Sequence, residues 1–120
     1  KLILLRHEKR EFYPGFYSNL TEEGFKDSDK LVNKLNKLDI DIIYCSPFVR
    51  TIQTIHPYCK KNDVEINIEY ALHEYRHNPY FIFENKIYKI KDINNNNLTD
   101  IIDKTYKSLF KILFNYEVMG

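Results

Sequence analysis

The chain has 120 residues, 43% of them hydrophobic and 29% charged, which fits one folded domain (residues 1–120) rather than a disordered segment. A net charge of +1 gives no general attraction to nucleic acid or to an anionic membrane, so we expect neither as a partner. No apolar run approaches the ~20 residues of a membrane span, and two cysteines are too few for a disulfide framework. We therefore expect a cytoplasmic protein.

The chain opens on a short apolar run, Leu2 to Leu5, that leads directly into Arg6 and His7. Such a run is typical of a fully buried strand, and open α/β sheets bind ligands at the carboxyl ends of such strands. Imidazole is a nucleophile near neutral pH, and guanidinium groups bind phosphate oxygens bidentately. With Arg10 close by, the pattern indicates phosphoryl chemistry on His7; ordinary surface contacts of a strand-end Arg and His are the alternative.

Thr21 is predicted to be the N-cap of a first helix, because acidic residues follow it in the first turn. Helical spacing predicts the buried face of that helix, which carries Ser28, Leu31, Val32, Leu35 and Leu38.

Two further strands are predicted at residues 41–45 and 65–68, with a second helix between them. Ser46 and Pro47 predict the start of that helix, as N-cap and first helical residue, and Pro57 should kink it or end it early. The β-α-β-α-β order predicts a parallel sheet with right-handed crossovers.

Residues 78–97 show mixed apolar periods and are predicted to form an irregular excursion or lid, with Asn94–Asn97 as an exposed loop. Thr99 is predicted to cap a last helix. Helical spacing places on one face of it Ile102, Tyr106, Leu109, Leu113 and Tyr116.

If the sheet is parallel, three more residues become candidates for the same site. Ser46 and Arg50 would lie at the carboxyl end of the second strand, on the same rim as His7, and a helix N-terminus there favours an anion. Glu74 follows the third strand and could reach this rim, where a carboxyl group can protonate a leaving alkoxide. Taken singly, Arg50 and Glu74 also fit as solvated surface charges.

Four ordered stretches, LLRHEKR, LTEEGFKDSDKL, IIYCSPFVRTIQT and Leu72-His73-Glu74, resemble the histidine phosphatase superfamily, the phosphoglycerate-mutase-like fold. The resemblance covers the first ~75 residues. It implies a three-layer α/β/α sandwich with a mainly parallel central sheet, here with a short C-terminal part, and phosphoryl transfer through a phosphohistidine. It makes His7 the nucleophile, Arg6 and Arg50 phosphate ligands, and Glu74 the proton donor. Arg10 matches a further phosphate-binding Arg of the acid-phosphatase branch.

Two features depart from the family pattern. Glu8 replaces the usual Gly after the nucleophile, and its carboxylate would repel a phosphate dianion unless Lys9 or Arg10 neutralises it. No histidine follows His77, although the family carries a second catalytic His on a later strand. Losing one such donor typically slows turnover about 10²–10³-fold. If the strand that carries this histidine is also missing, the sheet has an exposed edge, which would favour a homodimer.

Zinc is the competing hypothesis for the other histidines. His73 and His77 are four residues apart, with His56, Cys45 and Cys59 as further conceivable ligands, but no paired Cys motif supports a site. We expect no metal and no cofactor.

Two function classes remain open. The first is an active phosphatase on a phosphorylated small molecule or a phosphoprotein. The second is a catalytically impaired relative that binds phosphate or a protein partner. Arg6, His7, Arg10 and Arg50 would serve either class.

Overall fold

A parallel pair of strands and two helices form the centre of the protein. The computed structural model describes residues 1–12, 15, 17–69, 72, 90–98 and 100–102. Within these, the order is α1 (Glu22–Leu35), β1 (Ile43–Cys45), α2 (Val49–Asn62) and β2 (Ile66–Ile68). Helix α1 packs against α2, and α2 packs against β2.

Helix α1 begins as predicted. The Thr21 hydroxyl oxygen accepts a hydrogen bond from the Gly24 backbone N–H at 3.0 Å, which satisfies one of the free donors at the helix start. Ser28, Val32 and Leu35 are buried, and the other two residues of the predicted face are partly buried against the core. The predicted helix and its buried face are confirmed.

Strands β1 and β2 pair in parallel, with Ile43 opposite Ile66 and Cys45 opposite Ile68. Ile102 adds a parallel bridge to Ile66. Ile43 and Cys45 face the helices and are buried, whereas Tyr44, on the opposite face, is 43% exposed. The α/β class and the parallel sheet are confirmed. The two described helices, α1 and α2, are the helical part of the expected three-layer sandwich that the described residues show.

Helix α2 differs from its prediction at two points. It begins at Val49 after Phe48, so Ser46 is not its N-cap; the Ser46 hydroxyl oxygen instead accepts from the Phe48 N–H at 3.3 Å. The helix also does not end early at Pro57, one of the two outcomes predicted there, but continues five residues beyond it, to Asn62. An interior proline costs about 3 kcal/mol. Burial of Ile52, Ile55, Tyr58 and Cys59 on both sides of Pro57 offsets that cost.

The prediction of a fully buried first strand is wrong. Residues 1–9 form neither helix nor strand, and Leu2 and Leu4 are 84% and 87% exposed. An apolar run indicates that burying the segment would be energetically favourable. A strand is fully buried only where neighbouring strands pair with both of its edges and other elements cover both of its faces. Among the described residues, none supplies a strand ladder to this segment.

The segment from Ile90 to Ile102 returns to the sheet. Asn94–Asn97 is an exposed loop, as predicted, closed by a bridge between Lys91 and Asn97. The predicted last helix does not begin at residues 100–102, because Ile102 joins the sheet beside Ile66 instead. Thr99, residues 78–89 of the predicted lid and residues 103–120 lie outside the described residues.

Two buried polar side chains of α2 hold this returning segment. The Gln53 amide donates to the Lys91 carbonyl at 2.6 Å. The His56 Nε2 lies 3.0 Å from Asp100 Oδ1, and Lys60 Nζ lies 3.7 Å from the other oxygen of that carboxylate. These contacts fix residues 91–102 against α2.

No helix in the part of the chain that the structure describes is long and apolar enough to cross a membrane.

Substituting Asp100→Asn should lower the free energy of unfolding at neutral pH, because it removes the charge opposite His56 and Lys60. The His56 hydrogen bond holds the pKa of Asp100 below its ordinary value of 3.8. The carboxylate therefore contributes fully above that value, and its contribution is lost as the pH falls through the lower folded-state pKa. Urea unfolding across a pH series should show a wild-type-to-variant difference that shrinks below about pH 4.

The exposed Asp39 supplies the matched control, and Asp39→Asn should produce no comparable pH-dependent difference. If the difference in unfolding free energy between the wild type and Asp100→Asn stayed the same down to the lowest pH, the charge of Asp100 would not be what stabilises its contacts with His56 and Lys60.

Gly24 allows the segment after His7 to lie against α1. A Cβ at this position would overlap the backbone carbonyl oxygen of Lys9, which accepts from the Thr21 N–H at 2.8 Å. Glycine-to-alanine changes inside a helix ordinarily stabilise by about 1 kcal/mol. Here we expect Gly24→Ala to destabilise by about 1–3 kcal/mol, because backbone must move. Denaturant unfolding measures whether the free energy of unfolding falls or rises. Asn33→Ala, on the exposed side of α1, is the control and should be neutral or mildly stabilising.

Candidate active site

The carboxyl ends of β1 and β2 form one edge of the sheet. Ser46 follows β1 directly and Glu69 follows β2, and the Glu69 N–H donates to the Cys45 carbonyl at 2.8 Å. Arg50 is the second residue of α2 and so lies in the turn that leaves this edge. Ligands of open α/β sheets bind at such an edge. Ser46 and Arg50 therefore lie at the carboxyl end of β1.

The guanidinium group of Arg50 is fully buried. Its Nη1 donates to the Gly15 carbonyl at 2.7 Å, and its Cζ lies 4.6 Å from the centre of the Phe48 ring. A buried charge needs hydrogen bonds and opposite charge to offset its lost hydration. This arginine therefore ties the loop around Gly15 to the sheet edge and is a permanent positive charge there.

The imidazole of His7 is half-buried and is oriented by its own neighbour. Nδ1 lies 2.6 Å from the Glu8 carbonyl oxygen. Because a carbonyl only accepts, Nδ1 carries the proton, and in the neutral ring Nε2 then carries the lone pair. The geometry selects Nε2 as the nucleophilic nitrogen.

Thr54 joins the His7 segment to the turn that carries Arg50. The Glu8 N–H donates to the Thr54 hydroxyl oxygen at 3.0 Å, and that hydroxyl donates to the Arg50 carbonyl at 2.7 Å. Two residues far apart in sequence, His7 and Arg50, are thus connected through a single buried hydroxyl group.

Gln53 holds the loop that contains Arg10. Its side-chain oxygen accepts from the Leu20 N–H at 2.9 Å, and its amide donates to Asn19 Oδ1 at 2.8 Å. Leu20 in turn forms an antiparallel bridge with Arg10. Arg10 and the residues 19–20 are therefore held on the same helix that carries Arg50.

The predicted site residues differ in where the structure places them. The segments of His7 and Arg10 are held on α2, the helix of Arg50, by the side chains of Thr54 and Gln53. Arg6 is exposed, and none of these contacts involves it. The Arg10 guanidinium donates to the carbonyls of Glu11 and Phe12, at 2.9 and 3.2 Å. Glu74 lies outside the described residues.

Neither cysteine is a reactive thiol in this fold. Cys45 and Cys59 are buried, and desolvation raises the pKa of each thiol to about 12, so both stay protonated at neutral pH. Over the described ranges, no group of three or more His, Cys, Asp or Glu side chains is arranged to hold a metal ion. His56, one of the conceivable zinc ligands, is bonded to Asp100 instead.

Sequence reasoning missed the roles of Gln53 and Thr54. Their signal was present, because they lie three and four residues after Arg50 and share its helix face. Polar residues at such positions of an otherwise apolar helix face indicate buried hydrogen bonds to another part of the chain.

Comparison with known proteins agrees with this geometry. A sequence profile of the histidine phosphatase superfamily (branch 1) matches residues 2–87. Phosphoserine phosphatase 1 of Hydrogenobacter thermophilus is 34% identical over an alignment of 83 residues that covers 64% of this chain and 39% of that protein.

A solved structure described as the phosphohistidine phosphatase SixA of Agrobacterium tumefaciens superposes with a TM-score of 0.52 at 23% identity. The match covers 60% of this chain and 51% of that protein, so the chain spans about half or less of each relative. The structural likeness supports the fold, and the profile covers well over half of the chain. The chain belongs to the histidine phosphatase superfamily, branch 1.

Proposed function

We propose that the protein hydrolyses phosphomonoesters through a phosphohistidine formed on His7. One observation carries the proposal: the Nδ1 of His7 is bonded to the Glu8 carbonyl, which leaves Nε2 as the nucleophile, in a segment held against the turn of Arg50. Family membership supports it, as does the phosphatase name of the relative from Hydrogenobacter thermophilus.

In this mechanism, Nε2 of His7 attacks phosphorus while the bond from phosphorus to the ester oxygen breaks. Glu74 gives its proton to the departing alkoxide, and water then cleaves the phosphohistidine to release inorganic phosphate. Arg6, Arg10 and Arg50 bind the phosphoryl oxygens, whose negative charge they balance in the transition state. The steps need no metal ion and no cofactor.

The substrate we propose is a small phosphate ester or a phosphoprotein. The relatives carry the names phosphoserine phosphatase and phosphohistidine phosphatase, and both names denote phosphoryl groups that a histidine nucleophile can accept. We propose no nucleic-acid or membrane partner, since the net charge is +1.

One observation favours a phosphate-binding module without turnover. The sequence has four histidines, of which His73 and His77 lie outside the described residues. The remaining one besides His7 is His56, which is buried against Asp100. Within the described ranges, therefore, no second histidine is available to donate to the transferring phosphoryl group.

Substituting His7→Ala should abolish hydrolysis of p-nitrophenyl phosphate, because it removes the nucleophile. His56→Ala is the matched control and should retain turnover with a lower thermal midpoint, since His56 serves the fold. Arg50→Ala should weaken binding of phosphate or vanadate and slow turnover. EDTA should have no effect.

Activity that survives His7→Ala, or that EDTA removes and zinc restores, would contradict the phosphohistidine route. Vanadate binding by the wild type with no turnover would assign the protein to the binding modules.

The role of Glu74 is tested by comparing two substrates whose leaving groups differ in their need for a proton. Glu74→Gln should lower kcat on phosphoserine about 10²–10³-fold, because the serine alkoxide needs a proton. The effect on p-nitrophenyl phosphate should be much smaller, since nitrophenolate leaves without one. On phosphoserine, wild-type turnover should fall as the pH rises through the pKa of the acid, because only its protonated form donates.

Equal losses on both substrates would contradict the role of Glu74 as proton donor. The buried Glu69, at the same sheet edge, supplies the comparison: if Glu69→Gln shows the leaving-group dependence instead, the donor is Glu69.

A further inference from the structure

The backbone of Glu8 is held at two points. The Glu8 N–H donates to the Thr54 hydroxyl at 3.0 Å, and the Glu8 carbonyl accepts from His7 Nδ1 at 2.6 Å. We propose that Thr54 is a positioning residue for the nucleophile, acting through the backbone of Glu8. This inference rests on the proposed function, because it assigns Thr54 a part in the same phosphoryl transfer.

The direction of the hydrogen bonds makes this contact specific. The Thr54 side chain is 2% exposed, and its single hydroxyl proton is donated to the Arg50 carbonyl at 2.7 Å. Its oxygen lone pairs are therefore the groups that face the Glu8 N–H. Because that proton is already donated, the buried Thr54 hydroxyl can only accept toward Glu8, and the Glu8 N–H supplies the donor.

The backbone of Glu8 passes this constraint to the imidazole. If the N–H of Glu8 loses its acceptor, residue 8 is free to rotate, and its carbonyl moves away from Nδ1 of His7. Two properties of the nucleophile then change together: the direction of its Nε2 lone pair and the preference for a proton on Nδ1. Small losses of alignment reduce the rate of the chemical step more than they reduce substrate binding.

The kinetic test compares Thr54→Val with Thr54→Ser. Valine keeps the shape and loses the hydroxyl, so kcat on p-nitrophenyl phosphate should fall about tenfold while KM changes less than about twofold. Serine restores the hydroxyl and should return kcat to within about twofold of the wild type. Thr51→Val, on the same helix, is the control, because its hydroxyl bonds to the carbonyls of Ser46 and Phe48 and not to the His7 segment.

A spectroscopic test reads the same geometry without turnover. In protein labelled with ¹⁵N-histidine and measured with neutral imidazole rings, His7 of the wild type should be mainly the form with a proton on Nδ1. Thr54→Val should shift His7 toward a mixture of the two neutral forms, and Thr54→Ser should not. Thr54→Ala provides a second variant without the hydroxyl if the valine variant does not fold.

The outcomes separate this inference from the proposed function. Wild-type kcat and wild-type ¹⁵N shifts in Thr54→Val would overturn the role of Thr54, even if His7→Ala is inactive. Wild-type protein without turnover would contradict the proposed function, while the ¹⁵N comparison would still decide whether Thr54 orients His7. A loss in Thr54→Val that Thr54→Ser does not restore, or that Thr51→Val reproduces, would show a structural role only.

Discussion

The site depends on one buried polar face of α2, formed by Arg50, Gln53 and Thr54. Burying such groups is unfavourable unless each finds hydrogen-bond partners, and here the partners are backbone groups of segments that precede the helix in sequence. The loops are therefore held in place by the same interactions that satisfy the helix. A purely apolar face would bury equal area without fixing the positions of the loop carbonyls and N–H groups.

The parts of the fold that follow local rules could be predicted from sequence. Helix α1 has its cap, its first-turn acids and its periodicity within one short stretch, and β1 and β2 are apolar runs separated by a helix. The predictions from sequence fail where tertiary contacts determine the structure. Residues 2–5 have the pattern of a buried strand without described partners, and α2 passes Pro57 because core residues on both sides are buried. Ile102 joins the sheet instead of a helix because the backbone of Ile66 is there to pair with it.

The candidate site shows the same division. The position of Arg50 was predictable, because residues after a strand lie at one edge of a parallel sheet. His7 was predicted to follow a strand as well, but residues 1–9 form none, and its segment is held by α2 instead. The connection between His7 and Arg50 was not predictable, since the Glu8 N–H and the Thr54 hydroxyl are 46 residues apart in sequence. Helical spacing shows that Thr54 shares a face with Arg50, but spacing cannot show which loop that face meets.

The unusual residue at position 8 fits this arrangement because its contacts use the backbone. The N–H and carbonyl of residue 8 make the bonds that hold His7, and a glycine would make them equally well. What glutamate adds is a negative charge next to the proposed phosphate site. Lys9 cannot balance that charge from where it lies, because its ammonium group is 2.7 Å from Glu23 on α1. The Arg10 guanidinium donates to the carbonyls of Glu11 and Phe12, and because these acceptors are neutral they leave its positive charge in place, two residues after Glu8.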